Sequence, residues 1–143
     1  AYKYYDIKTQ YTNGELEQPL TPKHRIFANV SYQSKATDMG RLWKFDSTFN
    51  WLGAQRFPST IQSTEEFRLP NYSTSFSTLN VQLTRVFSDQ FEVYIGGENI
   101  TNTRQNIPIL SPDDPFGSNF DSTFVYGPIF GSMYYAGLRF KLN

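Results

Sequence analysis

From Trp43 to Trp51, Trp43, Phe45, Ser47, Phe49 and Trp51 alternate with Lys44, Asp46, Thr48 and Asn50. A period of two belongs to an extended strand, whose successive side chains point to opposite faces. One face of this strand is therefore aromatic and the other polar. The pattern recurs along the chain. Ile26, Ala28, Val30 and Tyr32 alternate with Arg25, Asn29, Ser31 and Gln33, with Phe27 the one large misfit. Leu79, Val81, Leu83 and Phe87 alternate with Thr78, Asn80, Gln82 and Thr84. Phe91, Val93 and Ile95 alternate with Glu92, Tyr94, Gly96 and Glu98. Tyr134, Ala136, Leu138, Phe140 and Leu142 alternate with Tyr135, Gly137, Arg139 and Lys141. The opening stretch, Tyr2 to Tyr11, is rich in strand formers but its alternation is blurred. The expectation is about six strands of roughly 9 to 12 residues, longer than the ~5 to 6 usual in soluble sheets.

The connections alternate in length. Residues 12–23 form a long polar loop, and Ser34 to Arg41 a short one. Gly53 to Ser75 is long, with Pro58 and Pro70 inside it. Ser88-Asp89-Gln90 is a tight turn, and Thr101 to Gly131 is the longest connection, carrying four prolines. Long loops at one end of the strands and short turns at the other are the habit of outer-membrane barrels. Strands of such barrels escape hydropathy windows because only alternate residues face lipid. No apolar run approaches the ~20 residues of a transmembrane helix.

A soluble antiparallel sandwich alternates in the same way and stays open as the second reading, with the aromatic face serving as a carbohydrate-binding or adhesive surface. Against it stand the aromatic ends of the apolar faces (Trp43, Trp51, Tyr32, Phe87, Phe91, Tyr134), where a bilayer interface favours rings. A loop as long as Thr101 to Gly131 is also uncommon in a small soluble domain.

Composition sharpens this picture. The chain has 143 residues, 17% of them aromatic within a hydrophobic fraction of 38%, and is rich in uncharged polar residues: 13 Ser, 13 Thr, 10 Asn and 8 Gln. Thirteen basic residues balance thirteen acidic ones, which leaves no cationic surplus for nucleic acid. There is no cysteine, so disulfide scaffolds, zinc knuckles and thiol chemistry are excluded. The N-terminus has neither an initiator Met nor an apolar signal core, as expected of a mature or excised chain.

Three segments carry a resemblance. Pro19-Leu20-Thr21-Pro22-Lys23-His24-Arg25 resembles the Pro-x-x-Pro-x-His segment that opens a late strand in TonB-dependent outer-membrane receptors. Gly96-Gly97-Glu98-Asn99-Ile100-Thr101-Asn102 resembles the Glu-Asn segment of that family. Asp114-Pro115-Phe116-Gly117, Tyr126 to Gly131 and Tyr134 to Leu142 together are similar to the C-terminus of its Bacteroidota branch. The family fold is a barrel of about 22 strands filled by a plug domain. The resemblance implies that residues 1–143 are the C-terminal part of such an outer-membrane β-barrel, incomplete and without its plug. Its partners are then the rest of the same barrel, the plug, the TonB complex through the missing N-terminal part, and lipid or detergent. The implied function is active uptake of a scarce solute: an iron chelate, cobalamin, a glycan or a peptide. No reaction and no cofactor are implied. Tyr134, Leu138, Phe140 and Leu142 correspond to the C-terminal strand used in barrel assembly. Phe140 and Leu142 remain alternatives for its terminal signal, because Lys141-Leu142-Asn143 follow Phe140.

Candidate sites follow from the faces. Lys44, Asp46, Thr48, Asn50, Asn80, Gln82, Glu92, Glu98, Arg139 and Lys141 are expected to point into the lumen, where they bond the plug or line a solute path. Tyr72, Phe116, Phe120, Phe124, Tyr126 and Phe130, in the long loops, are candidate ligand contacts, with mutual packing as the alternative. The single histidine, His24, has no catalytic partner at a recognisable spacing and reads as structural. Asp113, Asp114 and Asp121 are the nearest approach to a calcium loop, but no Asp-x-Asp-x-Asp-Gly pattern is present, and no metal site is expected.

Overall fold

Where the alternation is cleanest, the chain is strand. In the computed structural model, which describes residues 1–12, 14–61 and 63–142, β1 is Tyr2–Tyr4, β2 Lys8–Tyr11, β3 Gly14–Glu17, β4 His24–Gln33 and β5 Leu42–Leu52. β6 is Phe76–Ser88, β7 Phe91–Glu98 and β8 Met133–Phe140. Among the described residues the only helical piece is a short 3-10 turn, Glu65–Phe67. The protein is thus all-β, with antiparallel pairing of β1 with β4, β2 with β3, β6 with β7 and β7 with β8. A six-stranded sheet has the order β1-β4-β5-β6-β7-β8, and β2 with β3 makes a separate two-stranded sheet. Among the described residues the six-stranded sheet is open, with β1 and β8 as its edges, and no strand pair closes it into a barrel.

The opening stretch departs from the expected single long strand. β1 pairs with β4 through Tyr2↔Ile26, Lys3↔Arg25 and Tyr4↔His24, and Tyr5 N–H still donates to Lys23 O. The chain then turns to β3, which lies inside the segment expected to be loop, pairing Lys8↔Glu17 and Thr9↔Leu16. Two partners for one stretch explain the blurred alternation. Gly14 opens β3 at φ 121°, a conformation that side-chain-bearing residues rarely adopt. At the other terminus β8 stops at Phe140, so Leu142 lies beyond the strand to which it was assigned, although Lys141 N–H donates to Gln90 O. Asn13, Gln62 and Asn143, named in the loops and the tail, lie outside the described residues.

The chain forms two compact units. One comprises Ala1–Ile26, Trp51–Phe76 and Arg104–Phe130. Its core is Phe57, Leu110 and Phe124, with Leu20, Leu69 and Tyr126 packed against it. Phe57 meets Phe124 and Tyr126 edge to face, at centroid separations of 5.8 and 5.4 Å. The other comprises Phe27–Asn50, Ser77–Thr103 and the chain from Gly131. It is a sheet without a buried hydrophobic core residue among those described.

Within this second unit, glycine and tyrosine pair across strands. In the β7–β8 register Gly96 faces Tyr135 and Tyr94 faces Gly137. A Cβ on Gly96 would run into the Tyr135 ring, and one on Gly137 into the Tyr94 ring, so the outer end of each ring occupies space that a side chain on the facing residue would need. The Gly96-Gly97 pair marks a close approach rather than a bulge, since the ladder runs through it unbroken. Gly96→Ala should cost about 1–3 kcal/mol by overpacking. In a Tyr135→Ala background the same change should cost far less. Denaturant midpoints of the two singles and the double measure this, and additivity would contradict the contact.

Candidate functional site

The two faces of the sheet in the second unit differ in kind. On the polar face the side chains bond one another across strands in several small groups. Asn29 donates to Thr48 Oγ1 at 2.9 Å, and Ser31 Oγ to Asp46 Oδ1 at 2.6 Å. Lys44 pairs with Glu92 at 3.6 Å, and Glu92 pairs in turn with Arg139 on the adjacent strand. The Arg139 guanidinium also lies 5.9 Å from the Tyr94 ring centre. Tyr135 OH donates to Gln82 Oε1 at 3.1 Å, and Gln82 donates to the buried Thr84 hydroxyl. Of the expected lumen residues, Lys44, Asp46, Thr48, Gln82, Glu92 and Arg139 take part in these bonds. Asn80 instead accepts the Asn99 N–H, and Glu98 is exposed at the end of β7. A concavity of about 190 Å³ lies beside the ion pairs, lined by Lys44, Asp89, Glu92, Arg139 and Lys141 among others.

The opposite face is apolar and uncovered. Tyr32, Ile95, Tyr134 and Leu138 on this face are 63%, 55%, 75% and 68% exposed. Large contiguous apolar surface marks a place where another apolar phase or protein belongs.

Asn99 ends β7. It has φ 49° and Asn102 has φ 52°, left-handed values that Asn tolerates better than most residues. The Asn99 carboxamide accepts from Thr103 N–H and the Thr101 hydroxyl and donates to Thr103 O. Ser132 Oγ donates to Asn99 O, and Ser132 N–H donates to Asn102 Oδ1. The Glu-Asn-Ile-Thr-Asn segment is therefore a knot that stops one strand and steers the start of the next.

In the first unit two glutamines organise the loops. Gln105 is 7% exposed; its amide donates to Ile107 O and Phe124 O at 2.8 and 2.7 Å, and accepts from Tyr126 and Gly127 N–H at 2.9 and 3.2 Å. Gln55, also buried, exchanges bonds with Ser73 and donates to Tyr126 O. Neither residue stands out in a sequence, because both act on backbone far along the chain. This framework sorts the loop aromatics. Phe124 is buried and Tyr126 half-buried in the core, with Tyr126 OH within 3.2 Å of Thr74 Oγ1. Those two follow the mutual-packing alternative. Phe120 is half-buried, whereas Phe116 is 99% exposed at a turn tip and Phe130 is exposed.

Tyr72 joins a tether. It bridges Arg56 in an isolated antiparallel contact. Arg56 Nε donates to Glu17 O at 2.6 Å and its Nη2 to Tyr11 OH, which anchors the β2–β3 hairpin. Glu17 also pairs with Lys23. The hydrogen bond from Lys23 holds the Glu17 carboxyl below its ordinary 4.5, and Glu17 raises Lys23 above its ordinary 10.5. The Glu17 contribution is present above its ordinary value and is lost as pH falls through the lowered folded value. That of Lys23 is complete at neutrality and lost only in strong base. Acidification through the carboxylate range should therefore loosen the hairpin, read from the amide shifts of Thr9 and Leu16. Glu17→Gln should flatten that transition, and an unchanged one would remove Glu17 as its cause.

His24, though exposed, lies against two tyrosines. Its Nδ1 is 2.7 Å from Tyr2 OH, and its ring packs 5.3 Å from that of Tyr4. Asp121 is turned to the Thr123 N–H and hydroxyl. No group of three metal-ligating side chains converges among the described residues. No protein-family model, curated protein or solved structure matches this chain.

Proposed function

We propose that this chain is part of a transmembrane β-barrel of the bacterial outer membrane, the C-terminal barrel segment of a TonB-dependent receptor for a scarce solute. The observation that carries the reading is the division of one antiparallel sheet into two faces. One is aromatic and uncovered, as lipid-facing strands require, and the other is polar, its side chains bonded across strands, as a water-filled or plugged lumen requires. The open edges at β1 and β8 support pairing with further strands. The receptor assignment, and with it the plug and the TonB complex as partners, rests on the three resembling segments of the sequence. Phe116 and Phe130, exposed in the longest loop, are the loop aromatics most available to a solute.

The soluble sandwich requires a second layer over the apolar face, and the exposure of that face counts against it. Phase separation in a cloud-point detergent tests the choice. The purified chain should enter the detergent phase. A monomer that stays in the aqueous phase would refute the barrel reading and favour the sandwich.

A further inference from the structure

One cation interrupts the apolar face. Arg85 lies between Leu83 and Phe87 in β6, at a position whose neighbours two residues away are apolar. Its guanidinium stands 4.8 Å from the Trp43 ring centre and 5.8 Å from that of Phe87, and Phe87 stacks on Phe91 at 5.6 Å. Among the described residues no carboxylate forms an ion pair with it. A charge on an apolar face without an internal counter-ion calls for an external one. Trp43 follows the short 34–41 connection and Phe87 precedes the Asp89-Gln90 turn, so the cation lies toward the short-turn end of the strands.

A second feature of the same face begins two residues away. A groove of about 390 Å³, almost wholly apolar, is lined by Phe45, Val81, Leu83, Ile95, Ile100 and Tyr134 among others. From Arg85 to Val81 the strand advances about 13 Å, away from the short turns. A cation flanked by rings at the rim and an apolar groove running inward reproduce the layout of a lipid, headgroup at the surface and chain toward the midplane.

We propose that Arg85, Trp43 and Phe87, together with this groove, form a site for one anionic glycerophospholipid of the leaflet at the short-turn side. The phosphate sits on the Arg85 guanidinium and one acyl chain lies along Phe45, Leu83 and Ile95. The site rests on the barrel reading, because it needs this face in a bilayer.

The chain has two tryptophans, so Trp51→Phe leaves Trp43 as the sole tryptophan, excited selectively at the red edge of the indole band. This variant is reconstituted in phosphatidylcholine vesicles and titrated with acyl-brominated phosphatidylglycerol or acyl-brominated phosphatidylcholine. Quenching of Trp43 should show about fivefold preference for phosphatidylglycerol. Arg85→Gln should abolish the preference, Arg85→Lys should keep part of it, and Lys35→Gln, in the nearby turn, should leave it unchanged. Equal quenching by both lipids would overturn the headgroup site while leaving the barrel intact. So would a loss in Lys35→Gln as large as in Arg85→Gln, which would mark a diffuse charge effect. No quenching by either lipid would overturn site and barrel reading together.

Discussion

Gln105→Ala should destabilise the first unit by about 3–5 kcal/mol, the sum of several orphaned backbone groups at ~1–3 kcal/mol each, less what water recovers. The side chain closes four hydrogen bonds to four different residues, Ile107, Phe124, Tyr126 and Gly127, and does so while buried. Truncation leaves two carbonyls and two N–H groups facing a void beside Phe124, itself a core residue. Gln105→Glu keeps an acceptor for Tyr126 and Gly127 but loses both donors, and places a charge in a buried site. It should therefore be no better tolerated than the alanine. Equilibrium denaturation, with limited proteolysis of the 104–130 segment as a local readout, measures both. A Gln105→Ala protein within ~0.5 kcal/mol of the parent would mean that the loop is organised by something else.

Phe49→Arg carries the second large effect, and it tests the orientation of the sheet. Phe49 alternates with Thr48 on β5, so the two residues point to opposite faces. If the aromatic face meets the bilayer midplane, arginine at Phe49 should cost about 2–4 kcal/mol of membrane-folded stability. Arginine at Thr48 should be much milder, because that face is already polar: Thr48 accepts a hydrogen bond from Asn29, and Lys44 and Asp46 flank it. Folding titrations in urea with vesicles compare the two. Equal penalties would reject the facing assigned to β5, and a reversed order would place lipid on the polar side.

The long strands were legible because period-two alternation is local. Arg25 to Gln33 and Trp43 to Trp51 lie within one residue of β4 and β5, and the 34–41 and 53–75 connections fall between strands as expected. What could not be read is whatever depends on a distant partner. The stretch from Tyr2 to Tyr11 was not one strand, because its two halves pair with β4 and β3. Gln55 and Gln105 carry no periodic signal, since their partners are backbone groups up to 71 residues away. An aromatic residue in a loop looks alike whether it packs, as Phe124 does, or projects, as Phe116 does. Asn99 did carry a local clue, for an Asn closing a strand is among the few residues that accept a left-handed backbone. Arg85 left a local mark as well, a charge in an otherwise apolar series, but no expectation was attached to it. Only its distances to Trp43 and Phe87 give it a role.

The glycine–tyrosine pairs of β7 and β8 bear on how the strands find their alignment. A slip of one residue reverses the faces and is rejected by hydrophobicity alone, but a slip of two preserves every face. Moved one way by two, Gly96 would meet Gly137, leaving a bare patch of backbone and two tyrosine rings without their seats. Moved the other way, Tyr94 would confront Tyr135 where each now lies over a glycine. The two pairs act as a lock with a single keyed position, so alignment errors that the apolar pattern permits are refused by shape. Substituting one tyrosine and its glycine together would remove half of that key without touching the pattern, and misregistered β7–β8 hairpins should then appear during refolding.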